Sequence, residues 1–258
     1  MLTLVEAGGE APPLVTASAG NHGRALAHAA RAAGLRLTVY APATAPRAKT
    51  GAIRDAGAKL MACRDYDEAE VRAKEHAAKG SALFVSAYSH PDIIAGAGTI
   101  GLEILEDLPD VEAIVVPVGG GGLISGVAIA ARAISDSVSI LGVEVEASQA
   151  FTQSLAAGHI VPIQVGPTLA DGLAGNLDPD AITFDIVRRL VSGIVLVDER
   201  GLQDAIAGIA REERLIVEAA GAAAAAGMLG GRIDVAGRRT AVILSGGNID
   251  VEKLKALI

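Results

Sequence analysis

The run Val115-Val116-Pro117-Val118-Gly119-Gly120-Gly121-Gly122-Leu123 decides how the rest of the chain is read. No charged residue occurs from Ala113 to Ala131, a length close to that of a membrane-spanning helix. Pro117 and the four consecutive glycines forbid one continuous helix, because proline costs a helix interior about 3 kcal/mol and each glycine about 1 relative to alanine. The run is therefore a strand, a glycine loop and a helix. Residues without Cβ let successive N–H groups turn toward one point, and the following helix directs its positive end there, so the junction suits a phosphate dianion. A tight turn that packs a helix on a sheet is the other reading. The loop has neither the G-K-[ST] ending of a Walker loop nor the G-x-G-x-x-G of dinucleotide sites, which leaves ATP and NAD without support.

Outward from this junction, strand-like runs alternate with helical ones, the pattern of an α/β fold with mainly parallel sheets. Strands are expected at Leu14–Ala17, Leu35–Ala41, Ala58–Cys63, Ala82–Ser86, Ala113–Val118, Ser139–Glu144, Ile194–Asp198 and Thr240–Leu244, which are β-branched or uniformly apolar. Helices are expected at Asn21–Ala33, Pro46–Ala56, Tyr66–Lys79, Thr99–Asp107, Leu123–Ala133, Glu199–Arg211, Glu218–Leu229 and Val251–Leu257. Several begin at proline or end at glycine, as helix boundaries do. No lysine occurs between Lys79 and Lys253, and the later part is richer in glycine. Two lobes follow: a small βα lobe, residues 12–91, and a larger one, residues 92–258.

The 258 residues carry 30 acidic and 22 basic side chains, a net charge of −8, with no Trp, three Tyr and three Phe. That balance supplies neither the basic face nor the stacking rings that nucleic acid requires. The glycine run removes the one membrane candidate. The single cysteine, Cys63, has no partner for an internal disulfide, which fits a reducing compartment, and the cytoplasm is expected.

Two further junctions repeat the strand-to-loop form. In Thr16-Ala17-Ser18-Ala19-Gly20-Asn21-His22-Gly23 the Ser18 hydroxyl can cap the helix, the N–H groups beyond it can take a carboxylate, and Asn21 can donate to a ring oxygen. A plain N-cap is the alternative. Leu244-Ser245-Gly246-Gly247-Asn248 has the same form near the end of the chain. Ligands in open α/β sheets gather at the carboxyl ends of strands.

Six motifs now stand in order: Ser18 to Gly23, Ala95-Gly96-Ala97-Gly98-Thr99-Ile100-Gly101-Leu102-Glu103, Gly119 to Leu123, Ala170-Asp171-Gly172, Glu218-Ala219-Ala220-Gly221-Ala222 and Ser245-Gly246-Gly247-Asn248. Together they resemble the serine/threonine dehydratase group of fold-type II pyridoxal-phosphate enzymes, whose relatives include serine racemase. The resemblance covers nearly the whole chain. It implies a two-lobed, tryptophan-synthase-β-like architecture and pyridoxal 5′-phosphate as cofactor. It further implies that Asn21 holds the pyridoxal 3′ oxygen, that Gly119, Gly120, Gly121, Gly122 and Leu123 hold the phosphate, and that Ser245 meets the ring nitrogen. Ser18, Ala19, Gly20, Asn21 and His22 are implied to frame the substrate carboxylate, with Gly172 and Glu218 lining the cofactor cleft. The implied reaction is loss of water from L-threonine or L-serine, giving a 2-oxo acid and ammonia.

The sequence also departs from the group. Its Schiff-base lysine lies in a Ser-Phe-Lys-type motif upstream of the Ser18 loop, and the seventeen residues before Ser18 contain no lysine. An amino-terminally truncated architecture, impaired dehydratase turnover and non-covalent or absent cofactor are therefore expected. Lys49, Lys59, Lys74, Lys79, Lys253 and Lys255 read as solvated rather than catalytic. Ala19 stands where racemases carry a second serine, Ala97 and Arg24 where glutamine is common, and Ala219 where proline is usual. The cation site of racemase relatives would use Glu144, a carbonyl near Ser148 and an acid at Ala150, so no metal is expected. Two alternatives remain open. Thr16 to Gly20 approaches the G-x-S-x-G elbow, which makes Ser18 a candidate catalytic nucleophile of an esterase-type hydrolase. A non-catalytic amino-acid-binding or regulatory subunit is the other. Partners are thus a small amino acid or ester, with no nucleic acid and no membrane, and a homodimer or larger homo-oligomer is expected.

Overall fold

A computed structural model describes residues 11–45 and 47–258. The chain divides into two compact units between Ala87 and Tyr88, where the sequence places its lobe boundary after Pro91.

The first unit runs β1 (Leu14–Ala17), α1 (Asn21–Ala32), β2 (Leu37–Pro42), α2 (Arg47–Asp55), β3 (Lys59–Cys63), α3 (Tyr66–His76) and β4 (Leu83–Phe84). All the strands pair in parallel, in the order β3-β2-β1-β4. Strand alternation divides the core: Leu14, Leu37 and Val39 pack with α1 and Ile53 on one face, and Val15, Tyr40 and Cys63 pack with Ala69 and Ala73 on the other. Local chemistry sets the helix ends. Asp65 accepts the Glu68 N–H at the start of α3, and Gly34 takes the left-handed φ of 68° that closes α1. The start of α2 expected at Pro46 lies outside the described residues.

The second unit runs α4 (Pro91–Asp107), β5 (Ala113–Pro117), α5 (Gly122–Ile134), β6 (Ser139–Val145), α6 (Ala150–Ala157), α7 (Ile182–Leu190), β7 (Gly193–Val197), α8 (Glu199–Gly208), α9 (Ala219–Leu229), β8 (Thr240–Val242) and α10 (Val251–Leu257). Its parallel sheet has the order β7-β6-β5-β8. Every residue of β5 is buried, as a central parallel strand covered on both faces should be. Ile114, Val116 and Val118 join α5 and Phe151 in one core. Val115, Val143 and Val145 join the alanine-rich α9 in the other. Each fully buried Val, Ile or Phe side chain contributes about 1.5–3 kcal/mol by leaving water.

Both sheets wind the same way. The first strand of each unit lies inside the sheet, the next two extend to one side, and the last returns to the opposite side. The order therefore reverses beside β1 in one unit and beside β5 in the other, which are the positions where ligands of open α/β sheets bind.

Several elements differ from the sequence expectations. Helix α4 starts at Pro91 rather than at Thr99, although Gly96 and Gly98 weaken a helix. The compensation is a backbone-to-backbone helix contact: a Cβ on Gly126 of α5 would overlap the Ile94 carbonyl, and one on Gly101 would lie 3.0 Å from the Val127 carbonyl. Helices α6 and α7 were absent from the expected elements. Helix α8 ends at Gly208 and passes into a wider turn, Ile209–Glu213.

Candidate functional site

In the first unit the loop after β1 closes on itself. The Ser18 hydroxyl oxygen accepts the N–H groups of Gly20 and Gly23, both at 3.2 Å. Ser18 therefore does the capping expected of it, although Gly20 is the residue at the helix boundary. Gly23 cannot carry a side chain, since its Cβ would overlap the Ser18 carbonyl oxygen. Beneath the loop, His22 Nε2 lies 3.1 Å from Thr16 Oγ1, and the buried Thr16 hydroxyl donates to the Val85 carbonyl at 2.7 Å. Burial holds the His22 pKa below its ordinary value, opposed in part by a bond to the Val85 carbonyl. Ala19 is buried and Asn21 exposed.

This geometry bears on the elbow reading of Ser18. A nucleophile elbow is a strained turn with a base beside the hydroxyl. Among the described residues, Arg214 is the one non-glycine with positive φ, so Ser18 sits in ordinary backbone. His22, the nearest base in sequence, is turned to Thr16. The arrangement suits a serine that shapes a loop.

The second unit builds a different loop after β5. Gly121 takes a left-handed φ of 83° and starts α5 with no side-chain cap. Among the described residues, no backbone acceptor takes the N–H groups of Gly119, Gly120, Gly121, Gly122 or Leu123, and no side chain does either. Gly121 and Gly122 are buried, and buried N–H groups are almost always paired.

The space a Cβ would need at each of these glycines is filled. A Cβ on Gly120 would overlap the Tyr88 ring, and one on Gly122 would come within 2.9 Å of the Tyr88 Cα. On Gly121 it would meet Phe151 Cζ at 2.5 Å, and on Gly119 it would meet Leu173 at 3.1 Å. Thr183 Oγ1 donates to the Gly120 carbonyl at 2.9 Å, which holds that peptide with its N–H turned away. Tyr88 is anchored by the Asp178 N–H, which donates to its hydroxyl at 2.8 Å. A cradle of N–H groups backed by packed side chains fits the phosphate of the group the sequence implies.

Other expected site residues assemble around this loop. Gly172 lies in the turn Asp171–Leu173, and its carbonyl oxygen is 3.3 Å from the Cβ position of Gly119. Its own Cβ position is 3.1 Å from Ala220 of α9. The Glu218 N–H, at the start of α9, donates to the Gly246 carbonyl at 3.0 Å, and a Cβ on Gly221 would lie 2.6 Å from that oxygen. Strand β8 lies beside β5 in register Ala113↔Thr240 to Val115↔Val242. The Ser245 and Gly119 loops thus leave neighbouring strands at the same end of the sheet. Ser18 to His22 belong to the other unit.

Glu144 does not stand as an open ligand. Its carboxylate, 1% exposed, accepts the Phe151 N–H at 2.7 Å, the Thr152 N–H at 2.8 Å and the Thr152 hydroxyl at 2.7 Å. Burial raises its pKa and these bonds oppose the rise. With Ala150 supplying no acid, the residues do not fit a cation site, and no group of His, Cys, Asp and Glu suited to a metal occurs among the described residues. Lys59, Lys79, Lys253 and Lys255 are exposed, and Lys74 pairs with Glu70 at 2.9 Å.

The residues that back the loop, Tyr88, Phe151 and Thr183, carried no motif. One signal was available: the chain has only six Tyr and Phe residues, three of each, and two of them lie against the glycines.

An open parallel sheet with a glycine loop at the reversal of strand order is an arrangement on which α/β proteins hold phosphate groups. Comparison with known proteins makes this specific. The chain belongs to the pyridoxal-phosphate dependent enzyme family, whose model matches residues 1–246. It is 42% identical over 246 residues to an L-threonine ammonia-lyase of Thermotoga maritima, covering 95% of this chain and 61% of that protein. It thus spans less than two thirds of that relative's length. Among solved structures, the processed threonine deaminase isoform 2 of Solanum lycopersicum superposes with a TM-score of 0.87 at 36% identity, over 95% of this chain and 72% of that one. A maize serine racemase superposes with a TM-score of 0.87 at 34% identity, over 94% and 75%. No helix among the described residues is long and apolar enough to cross a membrane.

Proposed function

We propose that this chain carries the non-covalent part of a pyridoxal-phosphate site and that its protein is a threonine or serine dehydratase. The observation that carries the reading is the set of N–H groups from Gly119 to Leu123 without a protein acceptor, two of them on buried residues, at the strand-order reversal of the second unit. When bound, the cofactor supplies an electron sink at the substrate α-carbon, which permits loss of water from a hydroxy amino acid.

The chain's own residues do the positioning. Gly119, Gly120, Gly121, Gly122 and Leu123 donate to the phosphate, with the amino end of α5 adding its dipole. Ser245 would meet the ring nitrogen with a hydroxyl, as the resemblance implies, and a hydroxyl there would suit a cofactor used for β-elimination. For the first unit the resemblance assigns Asn21 to the 3′ oxygen and Ser18, Ala19, Gly20, Asn21 and His22 to the substrate carboxylate, and for the second it assigns Gly172 and Glu218 to the cofactor. None of the six lysines present takes the Schiff-base role.

Titration of the chain with pyridoxal phosphate and with pyridoxal tests the phosphate site: the phosphorylated form should bind at least about tenfold tighter. Equal affinity would remove the reading. Borohydride treatment followed by peptide mapping tests the lysine statement, and an adduct on Lys49, Lys59, Lys74, Lys79, Lys253 or Lys255 would overturn it. Formation of 2-oxo acid from threonine or serine reports the reaction itself.

The finer partner reading is part of the same proposal. Leu215, Ile216 and Leu229 are 51%, 61% and 63% exposed, and apolar side chains left in water favour a homodimer or larger assembly. Light scattering that finds a monomer at high concentration rules this out. The free, buried Cys63 is consistent with the cytoplasm.

A further inference from the structure

We propose that Glu144 is a positioning residue for the glycine loop, acting through α6 and Phe151. This rests on the phosphate reading above and adds a residue that no ligand contact requires. Glu144 stands near the carboxyl end of β6, yet its carboxylate serves the next helix. The residue at the boundary of α6, Gln149, makes no side-chain cap, and Glu144 supplies the cap from outside the helix. One of its oxygens takes the Phe151 N–H and the other takes the N–H and hydroxyl of Thr152. All three groups are donors, so the site matches a carboxylate, which only accepts. A glutamine would turn an N–H₂ toward a donor.

The backbone so anchored carries the ring that meets the loop. Phe151 is 0% exposed and is the largest of the fully buried side chains. Its Cζ lies 2.5 Å from the Cβ position of Gly121, the residue whose left-handed φ turns the chain into α5. Of the three side chains behind the loop, Tyr88 is anchored by the Asp178 N–H and Thr183 bonds the Gly120 carbonyl directly. Phe151 has no polar anchor in its ring, so its place depends on how α6 begins. A packed interior transmits such a displacement because it has few voids to absorb it. The N–H directions of Gly121 and Gly122 would shift with the ring, and a phosphate bound by aligned donors would feel that shift where the unphosphorylated ring system would not.

The test measures the preference for pyridoxal phosphate over pyridoxal on the full 258-residue chain, with thermal unfolding recorded for each variant. Glu144→Gln and Phe151→Leu should each lower the preference about tenfold, and the double variant should lower it no further, because both act on one path. Thr152→Val should give a smaller loss in the same direction and Thr152→Ser should restore it. A merely structural role predicts lower unfolding temperatures with the preference unchanged, and that result overturns the inference, as does full additivity in the double variant. If Glu144→Gln fails to fold, the Thr152→Val and Thr152→Ser pair decides by the same ratio. Wild-type protein that binds both probes equally overturns the phosphate reading and this inference with it, whereas a wild-type preference that survives every substitution overturns the inference alone.

Discussion

The loop after β1 and the loop after β5 occupy equivalent places in two sheets of the same strand order, yet they satisfy their backbones in opposite ways. After β1, Ser18 turns its own hydroxyl onto the N–H groups of Gly20 and Gly23. After β5, four glycines offer no such side chain, side chains pack where their Cβ atoms would be, and their N–H groups have no acceptor among the described residues. A self-satisfied loop can present a side chain or a few amides to a small carboxylate. An unsatisfied one needs an anion to complete it. The same topology thus yields a shaping loop in one unit and a binding loop in the other, and the residue type after the strand makes the difference.

The largest effect should come from filling the binding loop. Gly120→Ala places a methyl in the Tyr88 ring, and overpacking of this kind costs about 1–3 kcal/mol. Affinity for pyridoxal phosphate should fall by about a hundredfold or more, since misaligned donors lose several charge-assisted bonds together. Isothermal titration against inorganic phosphate and the cofactor checks this. Unaltered affinity would show that the glycines serve only packing.

Ser18→Ala should act on stability and leave the phosphate site alone. Loss of a capping oxygen costs about 1 kcal/mol, visible as a lower denaturation midpoint, while preference for the phosphorylated cofactor stays at the wild-type value. A drop in that preference would break the contrast between the loops.

The smallest effect is a change of slope with pH. Burial keeps the His22 pKa below its ordinary value of 6.5, so as pH falls below that value the unfolded chain takes up the proton before the native one. Stability contributed by neutral His22 is therefore present above pH 6.5 and lost as pH falls toward the lowered native value. His22→Asn should flatten the stability profile in that window, measured by denaturant unfolding at a series of pH values. Glu144 has the opposite sign: its raised pKa makes stability fall as pH rises from the ordinary value of 4.5 toward the native one. An unchanged slope in His22→Asn would show that this imidazole is not the group that titrates.

Much of the site could be read from residues in a row, because the physics there is local. Gly119 to Gly122 announce unobstructed N–H groups whatever surrounds them, and the helix expected at Glu218–Leu229 forms over Ala219–Leu229. Helix α4 begins at Pro91 rather than at the expected Thr99, and the close approach of Gly98 to the Gly126 carbonyl, which favours a glycine inside that helix, is a contact between separate elements. Glu144, the counterpart of a cation ligand in racemase relatives at a site where no metal is expected, is engaged by residues seven and eight positions later. A carboxylate in a strand carries no mark of which backbone groups will reach it.

What the sequence determined by itself was the set of possible chemistries: parallel α/β units, a glycine loop able to receive a phosphate, a serine loop able to cap itself, and motifs that point to one enzyme family. Tertiary structure alone decided which of those possibilities each loop takes up. Tyr88, Phe151 and Thr183 come from separate parts of the chain, Thr183 from 63 positions beyond the Gly120 carbonyl it bonds, and together they fill the space where Cβ atoms of Gly120, Gly121 and Gly122 would be. Hydrogen bonds and packing act between neighbours in space, and neighbours in space are fixed only when the sheet and its covering helices have formed.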